Sequence, residues 1–171
     1  MTVERDLAGF RGDGYDKGRP IVVQALWFAV LNLVFVKWWC PSRGRVLLLR
    51  VFGAKVGRGV LIRHRARVHW PWKLTIGDHS WIGEDVWMMN LEPLEIGSNV
   101  CVSQGARLIC GSHDRKSPTF EFDNGPIVLG DGVWVAAGCT VLRGSVVGSY
   151  AVLGAGAVVS GKVEPHALVK R

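Results

Sequence analysis

At 171 residues the chain is long enough for one domain with an appendage, and for a core that needs no disulfide framework. Its 22 glycines are spread along the chain, as many tight corners require, and Cys40, Cys101, Cys110 and Cys139 lack the paired CxxC spacing of a zinc site. They read as reduced, packed thiols of a protein in the cytoplasm. The formal charge of +7 excludes neither partner class by itself, because its excess belongs to one stretch: ten cations lie from Lys37 to Lys73 with no Asp or Glu among them. Anions are the natural partners of such a run, whether lipid headgroups, phosphorylated substrates or nucleic acid. No recognised nucleic-acid module accompanies it, so nucleic acid is not expected.

The first element in chain order is an apolar segment. Ile21 to Val36 carries no charge, and its only polar side chains are Gln24 and Asn32. A spanning helix needs about 20 apolar residues, so this one falls short. It begins late and lacks a small-residue cleavage pattern, which excludes a secretory signal. Trp38 and Trp39 beside Lys37 and Arg43 resemble an interfacial anchor, with indoles at headgroup depth and cations outside. The competing reading is a helix packed on its own domain or on another subunit. Residues 1–55 are therefore expected to form a helical, membrane-associated or internally packed segment.

From Val56 onward an aliphatic residue recurs in a fixed phase. It runs through Val56, Ile62 and Val68, then Ile76, Ile82 and Met88, then Ile96, Val102 and Leu108, and resumes at Leu129, Val135, Val141, Val147, Leu153 and Val159. Four positions after each lead residue stands a small or β-branched one, such as Ala66, Ser80, Ala106, Cys139, Ala151 or Val163. A period of six fits neither a helix nor an alternating strand. It fits short strands joined by corners, three to a triangular coil, with coils stacking on one another. Residues 56–171 are thus predicted to be an all-β parallel solenoid with coils of 18 or 20 residues.

The largest departure from this regularity is an inserted loop, residues 114–128. Long loops in compact domains are usually functional. His113 stands at its root, where a neutral imidazole could accept a proton. Asn90 precedes it by about one coil, since the phase brings Met88 under Leu108. A carboxamide below an imidazole would suit a hydroxyl-binding pocket, although Asn at a corner is equally a good turn residue.

The run VSQGARLICGSHD, followed by PIVLGDGVWVAAGCTVLRGSVVGSYAVLGAGAVVS, resembles the hexapeptide-repeat O-acetyltransferases that act on galactosides, maltose and nodulation sugars. LLLRVFGAKVGRGVLIR and PWKLTIGDHSWIGEDVW, with GSHDRKSPTF, bring it nearest to the colanic acid biosynthesis type. The resemblance implies a left-handed parallel β-helix, a homotrimer and clefts between subunits. It implies acetyl-CoA as co-substrate, no metal, and a sugar or lipid-linked oligosaccharide as acceptor in exopolysaccharide assembly. His113 matches the general base, Asn90 the acceptor contact, and Trp134 an aromatic beside the pantetheine arm. Ala137 and Ala155 match positions whose backbone groups bind that arm, and Ser160 falls near the adenine end. The family often has Lys directly after that last position, whereas here Gly161 stands there and Lys162 follows. The chain also ends at Val169-Lys170-Arg171 rather than in a Gly-Asn-Pro-Ala-type tail.

Two other functions share such a scaffold. A γ-type carbonic anhydrase would need three zinc-binding histidines, for which His64, His69, His79 and His113 are the candidates. They come in an order unlike that family's, amid arginines that repel a dication. A non-catalytic, membrane-attached trimeric scaffold is the third reading.

Overall fold

The computed structural model describes residues 3–171. Among the described residues, seventeen short strands form three parallel sheets, each running the length of a triangular solenoid. The A-sheet contains Lys55–Val56, Leu74–Ile76, Leu94–Ile96, Ile127–Leu129, Val146–Val147 and Lys162–Val163. The B-sheet contains Leu61–Ile62, Trp81–Ile82, Cys101–Val102, Trp134–Val135, Val152–Leu153 and Leu168–Val169. The C-sheet contains Arg67–Val68, Trp87–Met89, Arg107–Ile109, Thr140–Leu142 and Val158–Val159.

The period of six explains this geometry directly. Each lead aliphatic points inward and pairs with the lead residue one coil on, as Ile76 does with Ile96 and Met88 with Leu108. The small fourth-position residues fill the corners between sheets: Ala66, Ser80, Ala106, Cys139 and Ala151 are all fully buried. Stacked apolar rows make a single continuous core. Ser80 is tolerated inside because its hydroxyl donates to the Gly97 carbonyl (2.8 Å) and accepts from Val100 N–H (3.1 Å).

One expected assignment is corrected. Val163 was expected at a fourth, corner-filling position, but it is the lead residue of the last A-strand, paired with Val147. The corner after Val159 is shortened, and Gly161 turns it with φ +81°, a conformation that needs no Cβ.

Every irregularity in coil length falls on the same edge of the prism. From A to B, and from B to C, successive lead residues are always six apart. From C to A the spacings are 8 (Val68 to Ile76), 8 (Met88 to Ile96), 21 (Leu108 to Leu129), 6 (Val141 to Val147) and 4 (Val159 to Val163).

The N-terminal segment folds as a helical hairpin over the open first coil. Helix α1 spans Ile21–Val30 and runs into a π-helical turn, Leu31–Phe35; helix α2 spans Ser42–Val51. Gln24, Trp27, Leu31 and Phe35 form the buried stripe, and Trp27 Nε1 donates to the Val68 carbonyl (3.1 Å). Helix α2 packs on the first A- and B-strands. Arg45 locks the two parts together from a position only 3% exposed. Its guanidinium donates to the carbonyls of Phe35 (2.8 Å), Lys37 (2.6 Å) and Ile62 (3.2 Å). No carboxylate meets it; burial lowers its pKa, and carbonyl dipoles supply the compensation. Among the described residues no helix is long and apolar enough to cross a membrane.

Candidate active site

The inserted loop leaves the C-to-A edge as a small antiparallel excursion. Asp123 N–H donates to the Ser112 carbonyl (2.9 Å), Asp114 N–H to Glu121 (2.7 Å), and Gly125 N–H to Cys110 (2.9 Å). Asn124 Oδ1 accepts from Ser112 N–H (3.0 Å), and Arg143 pairs with Asp123. These bonds hold His113 opposite Phe122.

The His113 ring is fixed on several sides. Phe120 lies parallel to it, with centroids 4.3 Å apart at 7°, and Phe122 stacks at 5.2 Å and 24°. Phe10 meets it edge-on at 5.8 Å. Nδ1 lies 2.7 Å from the Phe120 carbonyl oxygen. A carbonyl only accepts, so Nδ1 carries the hydrogen, and in the neutral ring Nε2 presents a lone pair. The hollow beside the ring is lined by Ser112, Asp114, Arg115, Lys116, Phe122 and Arg143, among others.

An N-terminal strap completes this arrangement. Asp6 N–H donates to the Pro118 carbonyl (2.8 Å), and Arg5 lies over the Phe120 ring at 4.6 Å. The Glu121 carboxylate accepts from the N–H groups of Arg11 (3.2 Å) and Gly12 (3.0 Å). Burial alone would raise the Glu121 pKa; the donors on Arg11, Thr119 and Gly12, with the Arg11 charge, outweigh it and hold it below its usual range. Farther along, Tyr15 meets Phe122 at 5.0 Å and accepts from Trp70 Nε1 (2.5 Å).

The remaining expected site residues occupy two separate edges. Ser160 lies on the C-to-A edge, sharing a small hollow with Ser112 and Arg143 of the His113 region. Trp134 stands half-exposed on the B-sheet, its Nε1 donating to Ser103 Oγ (2.9 Å). Ala137 and Ala155 turn the B-to-C corner one coil apart, where the Ala137 carbonyl accepts from Gly156 N–H (2.9 Å). Among the described hydrogen bonds, none uses the Ala137 N–H or either backbone group of Ala155. Within one chain the C-sheet therefore separates the imidazole from the corner expected to hold the pantetheine arm.

Of the two readings open for Asn90, its surroundings favour the structural corner residue. Its side chain is fully buried; Oδ1 accepts from the N–H groups of His69 (3.0 Å) and Trp70 (3.1 Å), and Nδ2 donates to the Trp70 carbonyl (2.6 Å). It latches one coil to the next and does not line the His113 hollow. No exposed atom remains for an acceptor contact, because the widened corner turns the carboxamide inward.

The histidines considered for zinc are placed differently from one another. His64 sits by Glu84 (3.5 Å), and His79 turns a corner with φ +58°. His69 is held at a pKa of about 4 by burial and, secondarily, the Lys17 charge, which keeps it neutral. Among the described residues no three His, Cys, Asp or Glu side chains gather as a metal-binding group.

The sequence reading did not find Phe10, Phe120, Glu121 or Arg45. The two phenylalanines flanking Glu121, Phe120 and Phe122, so close in sequence to His113, were the available signal for the loop. Nothing periodic marks the strap, whose contacts join residues more than a hundred positions apart.

Comparison with known proteins follows this geometry. The model for the bacterial transferase hexapeptide (six repeats) matches residues 126–161. Over 155 residues the chain is 41% identical to WcaF of Escherichia coli (strain K12), a protein named for acetyl transfer in colanic acid biosynthesis; the match covers 88% of this chain and 84% of that one. A hexapeptide-repeat acetyltransferase of Vibrio cholerae O1 biovar eltor, complexed with acetyl coenzyme A, shares the fold with a TM-score of 0.80 at 23% identity, over 92% of this chain and 87% of that one. A galactoside acetyltransferase in complex with coenzyme A gives 0.76 at 18%, over 86% and 75%. Identity to WcaF at this level, across nearly the whole of both chains, places the protein in the hexapeptide-repeat acetyltransferase family.

Proposed function

We propose that the protein moves an acetyl group from acetyl-CoA to a sugar hydroxyl in exopolysaccharide biosynthesis, in the cytoplasm, with His113 as general base. The observation that carries this reading is the Nδ1 contact with the Phe120 carbonyl, which leaves Nε2 free to take a proton. The acceptor oxygen attacks the thioester carbonyl carbon as Nε2 removes the hydroxyl proton. The tetrahedral intermediate then expels the coenzyme sulfur, which recovers that proton from the imidazolium. Positioned base catalysis of this kind contributes about 10²–10⁴-fold. Backbone N–H groups at the cleft are the natural donors to the oxyanion.

The coenzyme arm fits the B-to-C corner, where Ala137 and Ala155 offer uncommitted backbone groups and Trp134 an apolar wall. That corner and His113 lie on different edges, so a cleft using both requires one edge from each of two copies. A homotrimer supplies this, and the B-sheet has the outer face for it: Leu61, Trp81, Cys101, Trp134, Val152 and Leu168 form an apolar column. The saccharide acceptor rests on the name of the E. coli relative.

His113→Ala should lower the chemical rate about 10²–10⁴-fold, or about 3–5 kcal/mol of barrier, with little change in acetyl-CoA affinity. Mass spectrometry of candidate glycans incubated with acetyl-CoA identifies the acceptor by the gain of one acetyl group. Transfer by His113→Ala at the parent rate would remove the base assignment, and a fully active monomer would remove the shared cleft.

A further inference from the structure

Helix α1 and its π-helical continuation are apolar all round, yet the solenoid covers only one stripe. Opposite the buried Trp27, Leu31 and Phe35, the side chains of Val22, Leu26 and Leu33 are 74%, 56% and 68% exposed. Ala25 and Ala29 lie exposed between them. The polar residue on this side, Asn32, is exposed and donates its amide to the Phe28 carbonyl (2.8 Å). A helix that is apolar on every face is ordinarily buried on every face. Trp38 and Trp39 follow at the end of the segment, 81% and 54% exposed, and α2 adds exposed Leu47 and Val51. Large apolar side chains exposed in this number on one short segment mark a contact site.

Cations predominate around it, although His64 and Arg65 also face Glu84 (3.5 and 3.7 Å). The chain carries no carboxylate between Asp16 and Asp78. Lys37 and Arg43 are exposed and belong to none of the described ion pairs. Beside Trp38 runs a groove lined by Lys37, His64, Arg65 and Arg67, with Asp85 as its one carboxylate, already paired to Arg65 (2.8 Å).

We infer that this hairpin is a docking surface for the interface of an anionic phospholipid bilayer. The segment Ile21–Phe35 is about 22 Å long as a helix, too short to cross about 30 Å of hydrocarbon, so it lies in the plane of the surface. Val22, Leu26 and Leu33 enter the acyl boundary, Trp38 and Trp39 sit at headgroup depth, and the cations at the groove meet lipid phosphates. A symmetric contact with a second copy is disfavoured, because it would press Lys37, Arg43 and Arg67, which belong to none of the described ion pairs, against their own counterparts. The inference does not depend on the acyl-transfer reading.

The test is co-sedimentation of the full chain with vesicles of phosphatidylcholine alone and of phosphatidylcholine containing phosphatidylglycerol. Binding to the anionic vesicles is expected at low salt, about tenfold weaker without phosphatidylglycerol, and weaker again as salt rises. Leu26→Glu with Leu33→Glu should reduce binding at least about tenfold while leaving sedimentation mass and circular dichroism unchanged. Trp38→Ala with Trp39→Ala should weaken binding by a smaller factor. The inference is overturned if the parent protein ignores anionic vesicles at low salt, or if the double glutamate variant still binds. It is equally overturned if that variant changes the assembly mass, since the face would then be covered by another copy.

Discussion

The A-to-B edge of the solenoid holds one spacing through all its coils, while the C-to-A edge takes the values 8, 8, 21, 6 and 4. The two edges obey the same core, because only the inward lead residues must stay in register from coil to coil. One glycine on each edge illustrates how closely the backbones approach at that position. On the A-to-B edge a Cβ added to Gly97 would stand 2.8 Å from Asp131 N and 2.8 Å from the Gly130 carbonyl carbon, one coil away. A side chain at Gly97 would therefore press on the backbone of the next coil. On the C-to-A edge a Cβ on Gly144 would meet nothing within 4 Å. Chain can bulge outward there without disturbing the stack, and it is there that His113, its loop, Arg143 and Ser160 are found.

The comparison can be broken at its boundaries, beginning with the largest effect. Asn90 sits on the variable edge yet behaves as part of the frame. Asn90→Ala leaves the Trp70 N–H unpaired, while His69 N–H keeps the Met88 carbonyl and the Trp70 carbonyl keeps Lys73 N–H, and should cost about 2 kcal/mol of stability, read by thermal unfolding at fixed protein concentration. A normal melting curve with a raised acceptor KM would return Asn90 to substrate binding. Gly97→Ala, on the tight edge, should cost about 2 kcal/mol through overpacking against backbone. Gly144→Ala, with φ +72° and open space around it, should cost about 1 kcal/mol, from the left-handed conformation alone. Equal losses at the two glycines would mean that corner packing is not what separates the edges.

The smallest effect concerns the strap. Glu121→Gln should loosen residues 5–12, seen as a few-fold faster tryptic cleavage after Arg5 and Arg11, and a similar decline in kcat as Phe10 leaves His113. Because the folded pKa of Glu121 lies below its ordinary 4.5, the carboxylate's contribution is fully present above that value. It fades as the pH falls below 4.5 and is lost beneath the folded pKa. Hydrogen exchange at Gly12 N–H should therefore lose protection in acid, and Glu121→Gln should show the same low protection already at neutral pH.

Much of this was legible in the sequence because a period of six has a single geometric meaning. The phase from Val56 to Val159 became the inward rows, and the interruption after Leu108 became the excursion bearing His113. Val163 was misplaced because the phase alone does not say which corner is shortened. Asn90 carried two readings, acceptor contact and turn residue, because a residue at an irregular corner points inward or outward according to local turns, not period. The strap was invisible for a different reason. Its hold on the loop consists of single hydrogen bonds and ring contacts across more than a hundred residues, which leave no pattern in composition.

The buried guanidinium of Arg45 has a consequence for how the molecule ends. A parallel solenoid offers open strand edges at its terminal coil, and another coil of the same kind is their best partner. By tying Phe35 and Lys37 to Ile62, Arg45 holds the hairpin across that first coil, so that α2 occupies the place a foreign strand would take. The hairpin is in this sense a stopper against fibre growth, and a chain that lost it would be expected to join end to end rather than persist as a shorter soluble prism.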